Sequence, residues 1–144
     1  MNYKAIFSTG KNALVTDLGL LLLRISFGLS LLLKHGLEKI TGFSQMVPVF
    51  PDPLHLGTHL SFTIAATSDV LAAVLLMAGF ATRPAALFIA GNVGVAWIFV
   101  HNAQFFGSKA DHGELCVLYL CGCVSLAFSG AGRFSADAFL RRSG

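Results

Sequence analysis

Long apolar runs, separated by glycine, proline and polar residues, organise this chain. The first run is expected as a helix over residues 14–34, with Asn12 or Thr16 near its start as a cap and Gly36 and Gly42 marking its exit. Residues 41–58 carry Pro48, Pro51 and Pro53 and read as the one long loop, because proline removes a backbone donor and blocks the helix. A second helix is predicted over 60–80. The turn Ala81-Thr82-Arg83-Pro84 then places proline in the first turn of a third helix, over 84–101. After a polar linker the fourth helix covers 112–128 and stops at Ser129-Gly130-Ala131-Gly132, leaving 133–144 as a short basic tail. A hydrocarbon core about 30 Å thick takes about 20 apolar residues per helix. The expected fold is therefore all-α: a transmembrane four-helix bundle forming a single membrane domain over residues 1–144.

Composition sharpens that picture. The chain is 55% hydrophobic and 12% charged, about half the charge of an ordinary soluble domain, which argues against a water-soluble globule. Its net charge of +3 comes from Lys and Arg set mostly at the ends of apolar runs, a pattern for lipid headgroups and not for nucleic acid. Lys4 and Lys11 ahead of an apolar run imitate a secretory leader. Arg24 interrupts that run and no small-residue cleavage site precedes Lys34-His35-Gly36, so the helix is expected to be retained. Cys116, Cys121 and Cys123 share one predicted helix at spacings that do not allow a disulfide.

Short connections make successive helices antiparallel, and four crossings put both termini on one side. That side holds Lys4, Lys11, Arg83, Arg133, Arg141 and Arg142, six cations against Lys34, Lys39 and Lys109 on the other, so both termini are predicted to be cytoplasmic. His35, His55, His59, His101 and His112 then fall on the outer side.

Ionisable groups inside a bilayer are expensive and mark either function or an internal pair. At 100° per residue, Asp17, Arg24, Gly28, Leu31 and His35 form one stripe of the first helix, expected to face the bundle. Asp69 in the second helix is surrounded by Ala65, Ala66, Ala72 and Ala73, small enough to admit a close neighbour. Measured from the expected outer helix ends, Arg24 and Asp69 share a depth and are predicted to pair. A lock between two helices and a working site explain such a pair equally well. Nearer the outer surface, His101 on the stripe of Ala90, Gly94 and Trp97, and Glu114 on the stripe of Leu118, Cys121 and Ser125, are expected to converge with His35. Cys116 and Cys123 are expected to point away, at lipid or a second copy of the chain. A hydrated rim accounts for the His-His-Glu group without a ligand, and no short-spacing motif supports a metal, so none is predicted.

The ordered set Leu23-Arg24, Gly28, His35-Gly36-Leu37-Glu38-Lys39-Ile40, Phe50-Pro51-Asp52-Pro53, Gly79-Phe80-Ala81-Thr82-Arg83-Pro84-Ala85, Glu114-Leu115 and Gly130-Ala131-Gly132-Arg133-Phe134-Ser135-Ala136-Asp137 resembles the DoxX family of small bacterial four-helix membrane proteins. The likeness runs over roughly residues 18–139. It implies the same fold in a bacterial inner-membrane setting. Some members are linked to quinone-dependent sulfur oxidation, some to membrane complexes that handle oxidative stress, and many have no assigned activity. The family usually carries glutamate in the second helix where this chain has Asp69, one methylene shorter.

Three functional expectations follow. The leading one is a subunit or partner of redox proteins in a quinone-linked or oxidative-stress system, with His35 or His101 donating to a quinone carbonyl and Glu114 exchanging the proton. The second is a small-solute or proton-coupled transporter using Arg24 and Asp69 at the midplane. The third is a non-catalytic scaffold for a soluble enzyme. The lipid bilayer is a partner in all three, and a homodimer is the expected assembly.

Overall fold

The computed structural model describes residues 13–105 and 113–143. Asn12, Lys109 and His112, and with them the expected start of the fourth helix, lie outside the described residues. Helix α1 is Ala13–Thr41. A short α2, Phe43–Met46, and a tight turn at Val47–Val49 follow it. Helices α3, Thr58–Ala78, and α4, Thr82–Val100, come next, and α1, α3 and α4 are each long and apolar enough to cross a membrane. Helix α5, Gly113–Ser129, is a shorter apolar helix, and α6, Ala136–Ser143, closes the chain. Among the described residues there is no strand.

Helix α1 does not leave at Gly36. No proline interrupts it before Pro48, and Gly36 is buried inside the helix, where a side chain would collide with the backbone carbonyl of Asp69. Gly36 is therefore a packing residue, and the helix ends at Gly42, whose N–H bonds to the Glu38 carbonyl. Helix α3 ends where Gly79 takes φ +67, so that Phe80 N–H reaches Leu75 O at 3.0 Å and Gly79 N–H reaches Leu76 O at 3.1 Å.

Each of α1, α3 and α4 contains one widened π turn, at Leu32–Gly36, Ser68–Ala72 and Ala96–Val100. Such turns are uncommon and frequently sit at functional sites. Here they carry His35 and Asp69 and lead directly into His101.

Helix α1 packs along α3 and also touches α5, while α4 packs along α5. Leu31, Ala73, Leu76, Ala86, Ile89, Cys123 and Leu126 form the centre of the core. Between α1 and α5, Phe27 meets Tyr119 edge-on at 5.3 Å, and the Tyr119 hydroxyl hydrogen-bonds Ser30 at 2.5 Å. The bundle has two ends. The loop end gathers Thr41, Thr58, Val100 and Gly113. The tail end gathers Ala13, Ala78, Thr82 and Ser129.

The tail is not a free basic extension. Residues 130–137 cross the tail end as a strap. Arg133 N–H bonds to Asp17 at 3.0 Å, the Phe134 carbonyl accepts from Arg24 at 2.6 Å, and Asp137 N–H bonds to the Gly79 carbonyl at 2.9 Å. The Asp137 carboxylate accepts from Ala81 N–H at 2.8 Å and Thr82 N–H at 3.0 Å, capping α4, whose own sequence supplies no side-chain cap.

Candidate functional site

At the loop end a cavity of about 590 Å³ opens among α1, α3, α4, α5 and residues 50–56. Its size is that of a small-molecule site. Most of the wall is apolar, with Leu31, Phe50, Leu54, Ile64, Leu87 and Val93 contributing, and the polar groups are His35, Lys39, Ser61, Asp69, Asn92, His101 and Tyr119.

The strongest polar feature is an ion pair between Lys39 Nζ and Asp69 Oδ2 at 2.7 Å, with side chains only 12% and 7% exposed. Lys39 lies one helical turn after His35, so both point to the same side of α1. His35 is within electrostatic reach of Asp69 as well as Lys39. An ammonium has three donors, and the contact with Asp69 uses one.

Residues 50–56 form the outer wall. They are held by Asp52, which accepts from Leu56 N–H at 2.9 Å, Gly57 N–H at 2.8 Å and the Ser61 hydroxyl at 2.6 Å. The Ser61 hydroxyl, with the Gly57 and Leu56 amides, holds the Asp52 carboxyl below its ordinary range. Phe62 anchors the same segment through an edge-on contact with Phe50 at 5.1 Å and also meets Phe43 of α2 edge-on at 5.3 Å.

The structure does not bring Arg24 to Asp69. Arg24 is fully buried and gives its guanidinium to the carbonyls of Leu76 at 3.4 Å, Met77 at 3.3 Å and Phe134 at 2.6 Å. The error in the expected pairing is one of depth. Helix α1 continues past His35 to Thr41, about 9 Å further at roughly 1.5 Å per residue, which lowers Arg24 relative to Asp69 by that amount. Small residues do let α1 and α3 approach, and Gly28 and Gly36 of α1 contribute as much as the alanines, since a side chain at either would meet the α3 backbone.

His35 and His101 both line the cavity, but Glu114 does not join them. Gly113 lies against the Gln104 carbonyl and His101 Cβ, and Glu114, Leu118, Cys121 and Ser125 are all exposed on the outer face of α5. Cys123 is instead fully buried, and Cys116 lines the cavity, so the expected inner and outer faces of this helix are exchanged. The expected convergence rests on a shared stripe and depth, which do not by themselves fix which face of α5 meets the bundle. At a helix end a charge reaches the membrane surface from any face.

Lys39, Tyr119 and Asn92 are members of the site that the sequence reading missed. For Lys39 a signal existed: no proline interrupts the helix between His35 and Gly42, so a cation one turn beyond His35 belongs to the same stripe.

A family model described as DoxX matches residues 19–102, a span that includes His35, Lys39, Asp69, Asn92 and His101. An uncharacterized protein of Haemophilus influenzae is 28% identical over 113 residues, covering 76% of this chain and 75% of its own length. A second uncharacterized protein of the same organism is 32% identical over 77 residues, covering 51% of this chain and 58% of its own. No solved structure matches the chain.

Proposed function

The chain belongs to the DoxX family of membrane proteins, and on that premise we propose that it binds a lipophilic, carbonyl-bearing ligand of the quinone class in the loop-end cavity, as a subunit or partner of a redox system. The observation that carries this reading is the chemistry of the cavity. A largely apolar chamber of about 590 Å³ has His35 and Asp69 on the π turns of α1 and α3, Lys39 one turn beyond His35, and His101 at the end of α4. A quinone has this polarity, with an apolar body and two carbonyl acceptors.

In this proposal His35, His101 and Lys39 donate hydrogen bonds to the carbonyl oxygens. The proton-exchange role expected of Glu114 passes to Asp69 and the histidines, because Glu114 is outside the chamber. Electrons come from a partner redox protein. The chain contributes binding, orientation and proton delivery. The transporter alternative drew its midplane site from an Arg24–Asp69 pair, and Arg24 and Asp69 have other partners. With the six-to-three charge count, the same proposal puts the tail end in the cytoplasm and the cavity toward the outer surface.

The test is retention of decyl-ubiquinone by the detergent-purified chain. Binding is expected, and His35→Ala and His101→Ala should each weaken it about tenfold, with the yield of folded protein nearly unchanged. Absence of binding, or equal loss of binding and of fold in both variants, overturns the reading.

A further inference from the structure

The opposite end of the bundle carries a surface unrelated to the cavity. The strap of residues 130–137 passes from α5 across α1, where Gly132 lies close to Asp17 and Leu20, then past Arg24 and Gly79 to the α3–α4 turn. Helix α6 starts at that turn. Ala138 is buried against the bundle, and every residue from Phe139 to Ser143 is exposed. Past its first turn α6 has therefore left the protein surface, among the described residues.

What it presents is amphipathic. Phe139 is 70% and Leu140 54% exposed, followed directly by Arg141 and Arg142. Phe128, in the last turn of α5, is also exposed at this end, as are Arg83 and Arg133. The local acids are committed within the protein: Asp17 accepts from the Arg133 amide, and Asp137 caps α4. The result is Arg141 and Arg142 directly beside exposed Phe139 and Leu140, with Arg83, and an Arg133 that also pairs with Asp17 at 3.8 Å, at the same end of helices long enough to cross a membrane. A short helix of this kind places its apolar side chains among acyl chains and its guanidinium groups at the phosphates.

We infer that α6 is an interfacial anchor that binds anionic phospholipid, with Phe139 and Leu140 entering the lipid and Arg141 and Arg142 holding the headgroup. Charge complementarity and continuity with the lipid-facing wall of the bundle favour lipid over a protein partner. The inference does not depend on what the cavity binds.

The experiment uses the full chain in phosphatidylcholine vesicles containing phosphatidylglycerol, with Phe139→Trp as a reporter in a Trp97→Phe background. Lipids brominated near the headgroup are expected to quench the reporter. At equal mole fraction, brominated phosphatidylglycerol should quench more strongly than brominated phosphatidylcholine, reflecting an enrichment of roughly fivefold per arginine. Arg141→Gln/Arg142→Gln should abolish that preference while leaving quenching by phosphatidylcholine, which also shows that the variant remains folded and inserted. Quenching by neither lipid, with or without self-crosslinking of Phe139→Cys, would overturn the inference in favour of a protein-covered or water-facing helix. Equal quenching by both lipids in the unaltered arginine background would overturn it as well.

Discussion

At the tail end, Arg24 is fully buried and gives its guanidinium to three backbone carbonyls, and Asp137 closes two backbone amides. At the loop end, Lys39 and Asp69 meet each other on the wall of a chamber, beside His35 and within reach of whatever fills it. Both ends place charge inside a helical bundle. At the tail end that charge satisfies orphan carbonyls and amides at helix termini, a structural duty. At the loop end donors and a carboxylate face open volume. Buried charge alone therefore does not distinguish a site from a knot. What distinguishes them is whether hydrogen-bonding capacity remains directed at space that a ligand can enter.

Arg24→Met is expected to have the largest effect. It strips donors from the carbonyls of Leu76, Met77 and Phe134, and the loss should be the largest of these single changes, about 3 kcal/mol or more. Thermal unfolding in detergent measures it. Ligand affinity of the protein that remains folded should be unchanged, and a selective loss of ligand at intact stability would move the site to the tail end.

Lys39→Met and Asp69→Asn come next, each costing about 2 kcal/mol, below the range for a fully buried pair because the chamber admits water to the abandoned partner. Combining them should cost less than the sum. Combining Arg24→Met with Asp69→Asn should be additive to within about 0.5 kcal/mol, since the two share no partner. Coupling in that second cycle, with none in the first, would restore the pairing expected from the sequence.

Acid should act more gently, and on both ends. For Asp137, burial alone would raise the carboxyl, but the Thr82 and Ala81 amides outweigh it and the group sits below its ordinary value. Asp52 is lowered by Ser61 and the Gly57 and Leu56 amides. Each is a carboxyl depressed in the folded state, so its contribution is present above the unfolded value near 3.8 and is lost as pH falls through the lowered folded value. Asp137→Asn should cost about 1 kcal/mol, the usual worth of a helix cap. Asp52→Asn should leave the unfolding temperature nearly unchanged while speeding amide exchange at Leu56 and Gly57. Unchanged exchange there would mean that Asp52 does not hold the cavity wall.

Much of the architecture is legible along the chain. Apolar runs with few charges can be satisfied only by helices in a bilayer, so the all-α character follows from composition and spacing. Arg24, Gly28 and Leu31 are readable as an inward stripe because a mid-helix arginine has nowhere else to go.

The tertiary structure decided the rest. The depth of Arg24 depended on where α1 stops, and Gly36, which looks like a break, is a contact with the Asp69 carbonyl on another helix. The partner of Asp69 followed from that register. The inner face of α5 was unreadable because lipid is as apolar as a protein core, so a membrane helix need not be amphipathic and Cys123 or Cys121 could equally face inward. The duty of Asp137, a cap for a helix 55 residues earlier, exists only once the chain has folded back across its own end. Local propensity and hydropathy act over one helix, whereas register, facing and long-range capping are settled between helices, by steric fit and by which polar groups would otherwise be left unpaired.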